Sequence, residues 1–194
     1  MENQIGPYRL LRKISRGGMG SVYEAIHEAI ERRVAIKILD AESARNSDST
    51  TRFLNEARAV NRVNDPGLVQ MFDHGILPNG TAYIVMEYLD GETLAHRLRR
   101  SRQRMPVPEI LRLLRQTAAT LAATHKKGIV HRDLKPANIM VVADTAVPGG
   151  ERTKLLDFGI AKLRESSPVK AANTHKDLLM GTPSYMSPEQ CRGA

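Results

Sequence analysis

Val130-His131-Arg132-Asp133-Leu134-Lys135-Pro136-Ala137-Asn138 sets a carboxylate, two cations and an amide in one short stretch. Pro136 has no place in a helix interior and restricts its neighbour, so the stretch predicts a stiff, non-helical loop. Apolar runs on both sides anchor it in a core. Further along, Asp157-Phe158-Gly159 offers a second carboxylate in a tight turn. One carboxylate near a substrate hydroxyl, with an amide and a second carboxylate on a metal, is what phosphoryl transfer requires.

On these residues the loop is similar to the catalytic loop of protein kinases, and Asp157-Phe158-Gly159 resembles their metal-binding turn. Lys135, two places after Asp133, is similar to the serine/threonine branch, and the wording around it resembles the bacterial, eukaryotic-like (Hanks-type) kinases. The resemblance covers nearly the whole chain. It implies an α+β, two-lobed fold. Residues 1–86 would form an N-lobe with a five-stranded antiparallel sheet and one helix, and 87–91 a hinge. Residues 92–194 would form a mainly helical, incomplete C-lobe that ends just after Ser187-Pro188-Glu189, which resembles the family's Ala-Pro-Glu.

The composition allows this. The 194 residues are 41% hydrophobic, enough for a core, and carry a net charge of +8. That excess suits nucleic acid, an acidic membrane surface, or a nucleotide and acidic substrates, but for charge alone a solvated surface is the preferred reading. Cys191 is the only cysteine, so no internal disulfide forms and a reducing compartment fits. Residues 1–7 lack the apolar core of a signal peptide, and no apolar run approaches the length of a membrane span. A cytoplasmic protein is expected, with membrane attachment only through a segment beyond Ala194.

In the first part, Tyr8 to Ile14 and Ser21 to His27 predict two strands around a turn containing Gly17, Gly18 and Gly20, and Val34 to Leu39 predicts a third. Without Cβ atoms, these glycines let backbone amides approach phosphate oxygens. A dinucleotide site would need a helix after the glycines. Instead Val22, Glu24 and Ile26 alternate as in a strand. Helix 51–63, capped by Ser49 or Thr50, places Phe53, Glu56, Val60 and Val63 on one stripe. A carboxylate on a core-facing stripe calls for a cation, and Lys37 is the obvious partner. Leu68 to Phe72 and Thr81 to Tyr88 predict two further strands around the Leu77-Pro78-Asn79-Gly80 turn. In the second part, helices are expected over 93–100 and from Pro108 to Lys127, with Gly128 as the stop. Ile110, Leu113, Leu114, Thr117, Leu121 and Thr124 supply the core face of the longer one.

The resemblance assigns roles residue by residue. Ile14, Gly17, Gly18, Gly20, Val22, Ala35 and Met140 would surround the nucleotide, Lys37 would hold its α- and β-phosphates, and Glu56 would orient Lys37. Ser15 stands where the family pattern has glycine. Met86 would be the gatekeeper, and the backbone of Glu87 and Leu89 would meet the adenine edge. Asp133 would be the base and Lys135 would neutralise the transferred group. Asn138 and Asp157 would hold Mg²⁺, and Phe158 would pack beneath the first lobe's helix. His131 reads as a packed structural histidine. Arg132 and Thr174 would couple activity to phosphorylation of the segment after Asp157, and Thr182 would contact Asp133 and Lys135. The implied reaction is ATP-dependent phosphorylation of protein serine and threonine hydroxyls, possibly including the chain itself in trans, with ATP and Mg²⁺ as cofactors. Two other classes fit parts of the chain: a non-catalytic nucleotide-binding regulatory module, and a nucleic-acid binder built on the Arg97–Arg104 run. The latter is disfavoured because no aromatics interleave to stack bases.

Overall fold

The computed structural model describes residues 3–17, 20–40, 44, 47–102, 104–158 and 183–188, without the side chains of residues 47, 48, 52, 56 and 183. Its larger sheet is antiparallel, with strands β1 (Gln4–Ile5), β2 (Tyr8–Arg16), β3 (Gly20–His27), β4 (Arg32–Leu39), β5 (Met71–Ile76) and β6 (Ala82–Glu87) in the order β1-β2-β3-β4-β6-β5. The expected five strands are therefore six. Gly6, at φ +53°, turns Gln4–Ile5 back onto Tyr8–Arg9, and Ile5 and Tyr8 join the core. The Leu77–Thr81 turn closes the β5–β6 hairpin through Leu77 N–H to Thr81 O at 2.8 Å, with Gly80 at φ +81°.

The two faces of this sheet do different work. Val34, Ile36, Val85 and Ala25 pack together on one face; Leu39 and Ile84 on the other receive Phe53 and Ala57 from helix α1 (Ser47–Asn61). Phe53, Ala57 and Val60 recur at helical spacing, and burying a side chain such as Phe53 contributes about 1.5–3 kcal/mol. The helix begins before the expected cap, so Ser49 and Thr50 lie inside it.

The second sheet, order β7-β8-β9, is formed by β7 (Gly91–Thr93), β8 (Ile139–Ala143) and β9 (Glu151–Leu155). It packs with α2 (Leu94–Arg100) and α3 (Val107–His125). Sequence periodicity did not mark β7, whose three residues are too few to show alternation. Thr93 caps α2 by accepting from His96 N–H, and Gly128 turns the chain beyond α3 at φ +72°. On α3 the buried positions are Leu113, Thr117, Thr120 and Thr124. The threonine hydroxyls are satisfied inside the core: Thr117 donates to Leu113 O and Thr124 to Leu121 O. Leu114, expected on the core face, is 50% exposed and forms an outer stripe with Val107 and Leu111. The turn of the helix carries Leu114 past the Leu113–Thr117 line.

Two polar assemblies lock these parts. The predicted strand Leu68–Phe72 is displaced to Met71–Ile76, because Asp65-Pro66-Gly67 makes a turn that docks on α3. Asp65 Oδ1 accepts from Gly67 N–H at 2.8 Å and from Thr120 Oγ1 at 3.0 Å, while Gly67 O accepts from Leu155 N–H. A Cβ on Gly67 would lie 1.9 Å from Thr120 Oγ1, so the close approach requires glycine. At the far end of β8 and β9, Arg97 bonds Glu92, Glu109 and Glu151 at 2.9, 3.1 and 2.7 Å. Arg100 also meets Glu92 and Arg112 also meets Glu151. This ties α2, α3 and the β8–β9 hairpin together.

Candidate functional site

The loop 131–138 is held from below. His131 is buried and stacks on Phe158 with ring centroids 4.5 Å apart. Its Nε2–H donates to Leu156 O at 3.0 Å, which fixes the tautomer and leaves Nδ1 facing Asp133 N–H. Burial pushes the imidazole pKa below its usual range, so His131 is a neutral spacer rather than a base. Pro136 opens a single 3₁₀ turn over Pro136–Asn138; the expected non-helical loop therefore ends in one tight turn. Proline is tolerated at this first position because the missing N–H has no partner to lose.

Above that base the polar groups converge. Asn138 Nδ2 donates to Asp133 O at 2.8 Å and to Asp133 Oδ2 at 3.1 Å, and Lys135 Nζ lies 3.0 Å from the same Oδ2. The carboxylate is thus aimed by an amide and a cation. Asn138 O accepts from Leu156 N–H, which brings the residue before Asp157 against the loop. Arg132 and Asp157 both adopt left-handed backbone angles, φ +61° and +46°. Such angles cost non-glycine residues about 1–3 kcal/mol each and cluster at functional sites.

Asp157 Oδ1 lies 2.5 Å from Lys37 Nζ, joining the end of the β8–β9 segment to β4. Phe158 belongs to the same buried cluster as Val60 and Val63, next to α1. Side-chain exposure is 17% for Lys37 and 52% for Asp157, so this pair opens toward solvent. Strand register sets Lys37 opposite Val22 and Ala35 opposite Met86. Alternation then puts Val22, Ala35, Lys37 and Met86 on one face. Gly17 N–H closes the turn onto Gly20 O, and Gly20 is required by packing: a Cβ there would sit 2.2 Å from Ile38 O. Ile14 is exposed beside this turn.

On the opposite side, Ile139 and Val141 face the core, so Met140 points the other way, with Lys154 directly across from it. Lys154 is buried and reaches the end of β6. Its Nζ meets Glu87 Oε1 at 2.6 Å and Leu68 O at 3.2 Å. The same Glu87 oxygen accepts from Gln70 N–H, and Glu87 N–H donates to Gln70 O. Sequence reasoning assigned Glu87 for its backbone and gave Lys154 no role. The available signal was Lys154 itself, a cation between Thr153 and Leu155, which both turn inward.

Oxygen donors suit a hard divalent cation. Asp157 offers a half-exposed carboxylate, and Asn138 uses its NH₂ on Asp133, which leaves the amide oxygen for a metal. Among the described residues no cluster of three His, Cys, Asp or Glu side chains exists. Magnesium does not need one, because it is held by one or two carboxylates together with substrate phosphates. The residues present therefore fit the ion. Gly18, the Glu56 side chain, Thr174, Thr182 and Glu189 lie outside the described residues. No described helix is long and apolar enough to cross a membrane.

The protein kinase domain family profile matches residues 8–194. The serine/threonine-protein kinase PknA of Mycobacterium tuberculosis is 41% identical over 192 residues, covering 97% of this chain and 42% of the relative. Pkn1 of Myxococcus xanthus, also named a serine/threonine-protein kinase, is 40% identical over 98% of this chain and 26% of its own length. The chain thus spans less than half the length of these curated relatives. Among solved structures, the PknI kinase domain of M. tuberculosis is similar with a TM-score of 0.67 at 28% identity, over 82% of this chain and 63% of that one. The PpkA-294 apo form is similar with a TM-score of 0.70 at 27% identity, over 83% of this chain and 61% of that one.

Proposed function

Since the chain belongs to the protein kinase domain family, we propose that it transfers the γ-phosphoryl group of ATP to serine and threonine hydroxyls of proteins, itself included. The observation that carries this reading is the linked arrangement of three groups. Asp133 is aimed by Asn138 and Lys135, Asn138 is tied to the segment ending in Asp157, and Asp157 is paired with Lys37. The names of the bacterial relatives support it. The division proposed is 1–86 for the first lobe, 87–91 for the hinge and 92–194 for the second lobe; the end of β6 at Glu87 and the start of β7 at Gly91 support it.

The roles proposed are those that the family pattern implies. Val22, Ala35, Met86 and Met140 form the apolar walls of the adenine site, with Ile14 at its rim and the Glu87 and Leu89 backbone along its edge. The turn over Gly17, Gly18 and Gly20 covers the phosphates, and Lys37, oriented by Glu56, holds two of them. Asp133 receives the proton of the acceptor hydroxyl. Lys135, on the same carboxylate, offsets negative charge on the group in transit. Asn138 and Asp157 would hold Mg²⁺ through oxygen, and the ion would neutralise phosphate charge. By the family pattern, Arg132 and Thr174 would be a regulatory pair, and Thr182 would meet Asp133 and Lys135.

Transfer of labelled phosphate from ATP to a protein substrate tests the reading. Wild type transfers; Asp133→Asn and Lys37→Met do not, while Asp133→Asn still binds ATP by calorimetry. Transfer that survives Asp133→Asn would refute the assignment of the base. ATP binding without transfer in wild type would favour a regulatory module.

A further inference from the structure

The chain's excess positive charge is concentrated. Residues 97–115 hold seven arginines against the one carboxylate of Glu109, a net +6 out of +8. Arg97, Arg100 and Arg112 line an open cavity of about 600 Å³, together with Pro106, Pro108, Glu109 and Glu151. The carboxylates around it are already engaged: Glu92 and Glu151 each take two arginines, and Glu109 takes Arg97. Arg102 and Arg104 sit on the link between the lining residues Arg100 and Pro106, are exposed, and meet no carboxylate among the described residues. Arg115 likewise meets none, and it follows Pro108 and Arg112 at helical spacing on α3. Arg102 is also held at φ +51°, an angle that arginine rarely adopts.

We propose that this groove docks an acidic segment of a protein partner, away from the reacting atoms. The segment's carboxylates meet Arg100, Arg102, Arg104 and Arg115, and its small apolar side chains lie over Pro106 and Pro108. Bidentate guanidinium–carboxylate pairing suits arginine better than lysine, and this stretch contains no lysine. A nucleic acid fits less well, because residues 89–157 contain no Phe, Tyr or Trp to stack a base. The location is suited to recruitment. Glu151 begins β9 at the groove, and four steps of about 3.3 Å carry the strand to Leu155, two residues before Asp157. A partner held at one end of the hairpin presents its hydroxyl at the other.

Fluorescence anisotropy with a labelled Glu/Leu peptide and the full chain, without nucleotide, tests this independently of phosphoryl transfer. Saturable binding is expected. The combined Arg100→Glu, Arg102→Glu and Arg104→Glu variant should weaken it about tenfold or more, whereas Lys126→Glu with Lys127→Glu, at the far end of α3, should not. In the kinase assay the triple variant should raise KM only for substrates bearing the acidic segment, leaving the KM for ATP unchanged. The proposal is overturned if the triple variant, with an unchanged melt, binds the peptide like wild type. It is also overturned if an oligonucleotide or phosphatidylserine vesicles bind the groove more tightly than the peptide.

Discussion

Replacing Lys154 by methionine tests the tie between the end of β6 and β9. Both side chains are mostly buried, 11% exposed for Lys154 and 19% for Glu87. The substitution keeps the apolar stem and removes the bonds to Glu87 and Leu68 O. One hydrogen bond to a charged group sets a floor of about 1.5 kcal/mol, and a fully desolvated broken pair sets a ceiling of about 5 kcal/mol. Glu87 keeps the Gln70 N–H, and some water reaches the pair, so the expected loss is about 2–3 kcal/mol. For a chain of this size that lowers Tm by about 4–12 °C. Urea unfolding measures the free energy, and calorimetry reports ATP affinity, which should fall because the Glu87 backbone loses its anchor. Adding Glu87→Met should recover part of the stability, since no buried charge then lacks a partner; a coupling of about 1–2 kcal/mol is expected. A Lys154→Met protein within about 0.5 kcal/mol of wild type, or strict additivity of the two substitutions, would refute the reasoning.

Gly67→Ala should destabilise by about 1–3 kcal/mol, because its Cβ runs into the buried Thr120 hydroxyl; adding Thr120→Ala should return part of the loss in a denaturant melt. Glu92 and Glu151 have pKa values pulled to about 2, chiefly by Arg100 for the former and by Arg97 for the latter. Their stabilising contribution is complete above the ordinary carboxylate pKa of about 4.3 and is lost as pH falls toward 2, so Arg97→Met should move acid unfolding to higher pH by circular dichroism. His131 has a depressed pKa from burial, so the unfolded chain binds its proton first and stability should decline as pH falls below about 6.5. His131→Phe should flatten that part of the pH–stability curve.

The nine residues from Val130 to Asn138, with Asp157-Phe158-Gly159, announced the chemistry because each group in them is a local necessity. The cation, amide and carboxylate meet within one loop, so spacing along the chain stands in for distance in space. Strands β2, β3, β4 and β6 and helix α3 were legible for the same reason, since their hydrophobic periods are local. The short strand β1 was not, because two residues carry no period and only the turn at Gly6 brings them to Tyr8.

By itself the sequence determined the family, the polar groups available and the order in which they arrive. Tertiary structure decided which groups meet. It paired Lys37 of β4 with Asp157 beyond β9 and drew Lys154 to Glu87. It docked Asp65 on Thr120 and brought Arg97 and Arg100 of α2 and Arg112 of α3 to one groove. The Lys37–Asp157, Lys154–Glu87 and Asp65–Thr120 contacts join residues 120, 67 and 55 positions apart. Their formation depends on how two sheets and two helices pack, which no local pattern encodes.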